Sequence, residues 1–255
     1  MKAPNSHLRN NSGQMLIITS LVVVLLLIST VVYVKDIEKN VPVYIAEGDQ
    51  GLSAVKQDGL HTLVSALANI SMGGNRNVLS EDLNRLKSAV ENHQYKAISE
   101  LDFEASNSAP YSNGVWISGG NNGTSVSSIY VLFTLNSTGN SASYYSEYAI
   151  NVTSSITSSG TYIPVNESAN QVTVTCNVFN EGKPASADNL TFYFEQNGTA
   201  WVPATSSSII DRGDGTYVAS FLAQSVAQNT SLPILLNLVD SRGISVWTNI
   251  TCIQK

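Results

Sequence analysis

The sequence is short of charged residues. Only 13% of its 255 residues are Asp, Glu, Lys or Arg, whereas a soluble domain usually has about 25%. The formal net charge is −6, and the few basic residues argue against a nucleic-acid partner, because such a partner needs clustered Lys and Arg. A Gly period, sustained heptads and a series of apolar runs are also missing. This excludes collagen, coiled-coil and polytopic membrane proteins.

Motifs for catalysis and metal binding are missing as well. The three histidines, His7, His61 and His93, are far apart, and the spacings H-E-x-x-H, C-x-x-C, G-x-S-x-G and the P-loop do not occur. The Gly-rich segment 118–123 lacks the Lys and the helix that phosphate binding requires, so it is interpreted as a turn. We therefore predict a protein that is not an enzyme and that holds no metal and no cofactor.

One long apolar run is present. Residues 15–34 contain no charge, and as a helix they would span about 30 Å, the hydrocarbon thickness of a bilayer. A cleaved secretory signal is the alternative, but its apolar core is only about 7–15 residues and ends at a small-residue cleavage site. The run predicts a transmembrane helix at 15–34 with the lipid bilayer as a partner. Residues 1–14 would be a cytoplasmic leader, and the residues after Val34 would lie outside the cell.

Composition changes twice after this run. Residues 35–104 contain 18 charged residues and have apolar residues at helical spacing, which predicts a helical stalk. Residues 105–167 are rich in Ser, Thr and Asn, and their alternating apolar residues favour strands over a flexible linker. Residues 168–255 alternate cleanly, for example at 172–178, and their short strands favour a β-sandwich.

The two cysteines, Cys176 and Cys252, lie on inward positions of predicted strands. In an extracytoplasmic domain this predicts a disulfide, which would stabilise the fold by about 2–4 kcal/mol. The alternative is two separate buried thiols that act as small apolar side chains.

Nine Asn-x-Ser/Thr triplets follow the apolar run. In several of them strand alternation places the Asn on the outward face, where a glycan could be attached. The alternative is that an Asn-, Ser- and Thr-rich surface forms such triplets by chance. The candidate N-glycosylation sites are Asn69, Asn122, Asn136, Asn151, Asn166, Asn189, Asn197, Asn229 and Asn249.

A turn motif in the C-terminal part carries a family resemblance. The segment Asp211–Phe221, DRGDGTYVASF, resembles the D-x-G-D-G-T-Y-x-x-x-F/Y signature of filamin-type and bacterial surface Ig-like repeats. The resemblance implies that the glycines turn the chain into a strand and that Tyr217 packs inward. We therefore predict an α+β fold: an N-terminal transmembrane helix, a short helical region, and an antiparallel β region that ends in an Ig-like β-sandwich.

The N-terminus carries a second resemblance. Ser12-Gly13-Gln14 directly before the apolar run is similar to archaeal type IV pilin-like leaders, which are cut after a Gly. This resemblance implies cleavage between Gly13 and Gln14.

Taken together, these features favour a membrane-anchored, extracytoplasmic structural or adhesive surface protein, of which a pilin-like subunit is one form. Its expected location is the cell membrane, with a single pass and an extracellular C-terminal region. Other copies of the chain or envelope proteins would be its partners. The alternative function is an extracytoplasmic sugar- or peptide-binding or sensory module on the same anchor.

Overall fold

The structure, a computed structural model, describes residues 47–94, 98–138, 143–196, 200–205, 207–224 and 231–255. The predicted leader and the apolar run at 15–34 therefore lie outside the described residues, as do Gly13 and Gln14. The chain from Glu47 to Lys255 forms one compact unit.

Two α-helices begin this unit and pack against each other. Helix α1 spans Glu47–Ser71, and α2 spans Val78–Ala89 before a π-helical turn at Val90–Gln94. Beyond α1 the chain turns at Gly73, whose φ of 95° is a left-handed conformation that glycine adopts without a Cβ clash. The buried side chains recur at helical spacing: Val55, Leu63, Ala66, Leu67 and Ile70 on α1, and Leu79, Leu83 and Leu86 on α2.

Thirteen strands of the described chain form one sheet. They are β1 (Ile98–Ala105), β2 (Val115–Ser118), β3 (Gly120–Asn121), β4 (Thr124–Thr138), β5 (Ser143–Asn166), β6 (Ala169–Asn180), β7 (Lys183–Pro184), β8 (Ala187–Gln196), β9 (Ala200–Pro203), β10 (Ser208–Asp211), β11 (Thr216–Gln224), β12 (Leu232–Asp240) and β13 (Ser245–Gln254).

The main path through the sheet runs β10-β11-β6-β5-β13-β12-β8-β9, and β1 and β2 are attached through β4. Most neighbours are antiparallel. The exceptions are β13 beside β5, where Ile253 pairs with Thr161, and β13 beside β3. The longest strand, β5, has 24 residues and at about 3.3 Å per residue follows a path of roughly 80 Å.

The sheet encloses two apolar cores. In the first core, α1 and α2 cover the inner sides of β1, β2 and β4. In the second, β5, β6 and β11 face β8, β12 and β13. Strand β5 passes from one core to the other, because Val152 belongs to the first and Ile156 to the second. The chain passes between the cores a second time where β13 begins, since Ile244, directly before the strand, lies in the first core and Val246 in the second.

The outer side of β5 and β6 carries hydroxyl and amide side chains instead of charges. We call this surface the hydroxyl face. Its residues form three cross-strand pairs: Thr157 with Asn177, Ser159 with Thr175, and Thr161 with Thr173.

The predicted α+β class is wrong. Strands make up 60% of the described residues, and they form a single curled sheet. The helical spacing expected through residue 104 ends at Gln94, because Leu101 and Phe103 also fit strand alternation and β1 pairs along β4. The C-terminal part is not a separate Ig-like sandwich either, since the pairing of β5 with β13 joins it to the rest of the sheet.

The predicted transmembrane helix receives no support from the structure. Neither α1 nor α2 is both long and apolar enough to cross a membrane, and no other helix occurs among the described residues that could do so. Helix α1 has the length but is amphipathic, with an exposed Lys56 and a half-buried Asp58 opposite its apolar side. The pilin-like interpretation rests on the same N-terminal segment and is not supported either.

Candidate functional site

A cleft opens between the start of α2 and β1. Its volume is about 310 Å³, at the lower end of the range of about 300–1,000 Å³ found for ligand pockets. Leu83 and Phe103 contribute to its apolar lining, while Arg76, Asn77 and Asn113 supply a cation and amide groups. This combination suits a small ligand with one apolar side and with oxygens that accept hydrogen bonds.

A second surface lies on the outer side of β8, β9, β12 and β13. We call it the aromatic face and define it by Tyr193, Trp201, Leu235 and Trp247. The rings of Tyr193 and Trp247 stack at 6.5 Å between centroids, and Trp247 keeps 41% of its surface exposed. These side chains point outward because the alternate residues of the same strands, such as Phe192, fill the second core.

A shallow groove runs beside Trp247. It has a volume of about 110 Å³ and is lined by Gly119, Gly120, Leu235, Trp247, Thr248 and Asn249. An alanine Cβ at Gly119 would meet nothing within 4 Å, so the groove is open to solvent on that side. Its size suits one ring of a saccharide or one side chain rather than a complete small-molecule ligand.

The predicted glycosylation sites differ in how far their side chains are already engaged. Asn136 is half-buried and its Nδ2 donates to Glu100 at 2.8 Å. The Oδ1 of Asn151 accepts hydrogen bonds from the hydroxyls of Ser128 and Thr153. Both amides therefore hold the sheet together in the form described.

Three further sites lie at turns or helix ends. Asn166 accepts a hydrogen bond from the backbone N–H of Ser168 and closes a tight turn. The triplet of Asn69 ends at Ser71, and the hydroxyl of Ser71 already accepts a hydrogen bond from the Ser245 N–H. Asn122 is exposed in a turn at a φ of 80°.

Asn189 and Asn249 are the two acceptors that lie on the outer side of a described strand with an unengaged amide. Both are exposed, and no hydrogen bond from another described residue reaches either side chain. Asn197 and Asn229 lie outside the described residues. Whether any site carries a glycan stays a prediction.

The predicted disulfide between Cys176 and Cys252 is wrong. Both residues are free thiols buried in the second core. Burial raises the pKa of each thiol to about 12, because an apolar environment disfavours the thiolate. At neutral pH both are uncharged and pack as small apolar side chains, which is the alternative given by the sequence.

Sequence reasoning missed an ionic cluster at the junction of the two cores. The carboxylate of Asp240 is fully buried and lies 2.9 Å from a guanidinium nitrogen of Arg242. The same guanidinium bonds Glu181 at 2.6 Å and the Thr153 carbonyl at 3.0 Å. We call these four residues the Arg242 clamp. They connect the turn after β12 to β5 and to the turn after β6.

The clamp also orders its own turn. The Asp240 carboxylate accepts hydrogen bonds from the N–H groups of Arg242 and Ile244, both at 2.9 Å. A sequence signal was available: Arg242 is one of only four basic residues after position 104. In a region with so few charges, an arginine close in sequence to an aspartate is better interpreted as part of a structural ion pair than as a solvated surface residue.

The part of the chain that the structure describes offers few groups for metal binding or acid–base chemistry. Within that part, His, Cys, Asp and Glu do not gather in any group of three or more that could hold a metal ion. The pKa of Lys87 is raised by its hydrogen bond to Asp102 and by nearby carboxylates, but this pair is solvent-exposed and links α2 to β1. Burial alone raises the pKa of Tyr148 above its usual range.

The comparisons with known proteins assign no family. No protein-family model matches the chain, and no curated protein matches it either. The likeness of Asp211–Phe221 to Ig-like repeats therefore rests on that motif alone. In the structure Tyr217 is 4% exposed, and its hydroxyl accepts a hydrogen bond from the Ala187 N–H at 2.9 Å.

Proposed function

We propose that this chain is a non-enzymatic structural or adhesive protein of the cell surface. The observation that carries the proposal is the continuity of β5 through both cores. Because β5 contributes side chains to both cores, the two cores are joined by one hydrogen-bonded strand and not by a linker. Such continuity allows a force applied at one core to pass to the other through the sheet.

The hydrogen-bond ladders beside β5 support this interpretation. Strand β4 pairs with β5 from Thr124–Thr157 to Thr138–Ser143, and β6 pairs with the other edge from Asn180–Ser154 onward. At Ser154 and Ser155, β5 passes between the cores. There β4 pairs with one edge of β5 and β6 pairs with the other edge. A force along β5 is thus shared among many hydrogen bonds in parallel.

The Arg242 clamp reinforces the same junction. It joins Thr153 of β5 to Asp240 at the end of β12, close to where the chain passes between the cores. The Ser71 hydroxyl, at the end of α1, accepts the Ser245 N–H of β13 at 2.9 Å. Side-chain contacts therefore brace the junction from two directions.

The surface chemistry supports an extracytoplasmic position. Residues 105–255 contain only 12 charged residues, and the hydroxyl face presents neutral hydrogen-bonding groups. The motif at Asp211–Phe221 supports this only through one of the two groups that it resembles, the Ig-like repeats of bacterial surface proteins. The expected partners are other copies of the chain or envelope proteins.

The test uses cells that produce the full chain. A membrane-impermeant amine reagent applied to intact cells is expected to label the chain, for example at the exposed Lys183. Deletion of the gene is expected to reduce attachment of the cells to surfaces or to one another, and the intact gene to restore it. A chain that is labelled only after lysis, or a deletion strain that attaches fully, would contradict the proposal.

The cleft between α2 and β1 favours a second candidate function, the binding of a sugar or a peptide. Arg76 is exposed there and can be changed without disturbing the core. If the cleft binds such a ligand, Arg76→Ala should weaken the binding of the saccharide or peptide found by array screening at least tenfold. Arg85→Ala, which changes an exposed arginine of α2 outside this cleft, is the matched control. Equal binding by both variants would remove this candidate.

A further inference from the structure

One of the exposed acceptor sites has an aromatic side chain in a special position. Trp247, Asn249 and Thr251 are all exposed and follow one another at every second position of β13. Residues two apart on a strand share a face and lie about 6–7 Å apart. The acceptor Asn, the Thr of its triplet and an indole ring therefore line one row on the aromatic face.

The orientation of Trp247 is set by its neighbours. Tyr193 stacks against the ring with an interplanar angle of 26°. Leu235 lies on β12 between them, paired with Tyr193 on one side and with Asn249 on the other. The ring is thus held beside the groove, and a partner would lose little additional freedom by packing against it.

The backbone of this segment is held firmly. The Asn249 carbonyl accepts the Gly123 N–H at 2.7 Å, and β13 is paired on both sides here, with β12 and with β3. The Thr248 side chain is buried beneath the strand. In contrast, the Asn249 amide has no hydrogen-bond partner among the described residues. A rigid strand therefore presents one unengaged amide next to an open groove.

We propose that Asn249 is an N-glycosylated residue and that the Trp247 indole packs against the first sugar of its glycan in the neighbouring groove. A hexose ring has a face of C–H groups, which the negative face of an indole attracts and shields from water. The volume of the groove suits that one ring. This inference rests on the proposed extracytoplasmic location, because the chain must meet the glycosylation machinery.

The attachment reaction requires a saccharide donor linked to a lipid through phosphate, and a transferase of the host. The amide nitrogen of Asn249 bonds to the anomeric carbon of the saccharide. The bond from that carbon to the phosphate oxygen breaks, and the lipid phosphate leaves with the electron pair. The amide nitrogen loses one proton. The Thr251 hydroxyl completes the acceptor triplet on the same face.

The protease trypsin isolates this site from the other eight. Cleavage after Arg242 gives the peptide 243–255, which contains Asn249 as its one acceptor. For the full chain purified from its native cells, mass spectrometry is expected to find this peptide with an added saccharide. Thr251→Ala is expected to leave the peptide unmodified. A wild-type peptide that is entirely unmodified would overturn the proposal.

A second measurement tests the contact with Trp247. Trp247→Ser should lower the occupancy of Asn249 at least twofold while leaving occupancy at Asn189 unchanged. Asn189 is the matched control, since it is exposed on a strand of the same face but follows Ala187 at the equivalent position. Equal glycan occupancy at Asn249 in the wild type and in Trp247→Ser would overturn the proposed role of the indole.

Thermal unfolding then separates packing from attachment. The glycosylated wild type is expected to unfold about 2–4 °C above the Thr251→Ala variant, the shift that one such contact gives in a chain of this size. With Trp247→Ser in both proteins the difference should disappear. Surface labelling of the same cells keeps the two proposals apart. If the labelled surface protein has an unmodified peptide 243–255, this inference fails and the proposed function stands.

Discussion

Arg242 binds the buried carboxylate of Asp240 with two guanidinium nitrogens, at 3.0 Å and 2.9 Å. Removing the cation would leave a carboxylate in the interior without its counter-charge. We therefore expect Arg242→Met to lower the free energy of unfolding by about 3 kcal/mol, as measured by denaturant unfolding. Arg212→Met, which changes an exposed arginine in the β10–β11 turn, should alter it by less than about 0.5 kcal/mol. Similar values for both variants would mean that the clamp has no structural role.

Gly160 on β5 is expected to tolerate no side chain. An alanine Cβ there would overlap the Cys252 Sγ and would lie 3.1 Å from the Ile250 Cδ1. Gly160→Ala should therefore destabilise the chain by about 1–3 kcal/mol. Combining it with Cys252→Ala removes the sulfur and should restore part of the loss. Gly119→Ala, for which the structure leaves open space, is the control and should change stability little. A double variant no more stable than Gly160→Ala would argue against the overlap.

The two thiols should be silent in the folded protein. Burial raises the pKa of Cys176 and Cys252 to about 12, so both are protonated at pH 8 and shielded from reagents. Titration with a thiol-specific chromogenic reagent is expected to find no reactive thiol in the native chain and two after unfolding without a reductant. If none reacts after unfolding, the two cysteines are oxidised and the chain has no free thiol.

The same thiols should make stability depend on alkaline pH. In the unfolded chain they lose their protons near pH 9, whereas the folded chain retains them to about pH 12. Above pH 9 the unfolded state binds fewer protons, so the free energy of unfolding should fall between pH 9 and pH 12. Cys176→Ala should make that decline shallower. A decline of equal slope would assign the effect to other groups.

Tyr217 should contribute a hydrogen bond as well as apolar packing. Its hydroxyl accepts the N–H of Ala187 where β8 begins. Tyr217→Phe keeps the ring and removes this acceptor, and we expect a loss of about 1 kcal/mol in denaturant unfolding. Tyr145→Phe changes a tyrosine that is 64% exposed and should have almost no effect. A loss of the same size at Tyr145 would mean that the Ala187 contact is not what matters.

The predictability of this fold from sequence differs between neighbouring strands. Strand β6 is visible in the sequence because Val172, Val174, Cys176 and Val178 alternate with polar residues, and that prediction is confirmed. The length of β5 is hidden, because Ser154 is buried on the inward side between Val152 and Ile156. From the local sequence alone, a serine at such a position is interpreted as a turn residue and not as part of a strand. The parallel pairing that joins the sheet depends on contacts distant in sequence.

The candidate sites show the same division. Exposed acceptors such as Asn249 can be predicted, since strand alternation is a local property. The Arg242 clamp cannot be predicted with its partners, because Glu181 is 61 residues from Arg242 along the chain. Whether an acceptor amide is free also depends on the fold, as Asn151 shows by bonding Ser128 across the sheet.

The hydroxyl face has a consequence for the solvent conditions that the protein can tolerate. Dissolved salt weakens attraction between exposed charges, since the Debye length falls from about 10 Å at 0.1 M to about 3 Å at 1 M. Hydroxyl and amide groups have no net charge to screen. The side chains along β5 and β6, from Thr157 beside Asn177 to Thr161 beside Thr173, should therefore stay hydrated from fresh water to brine.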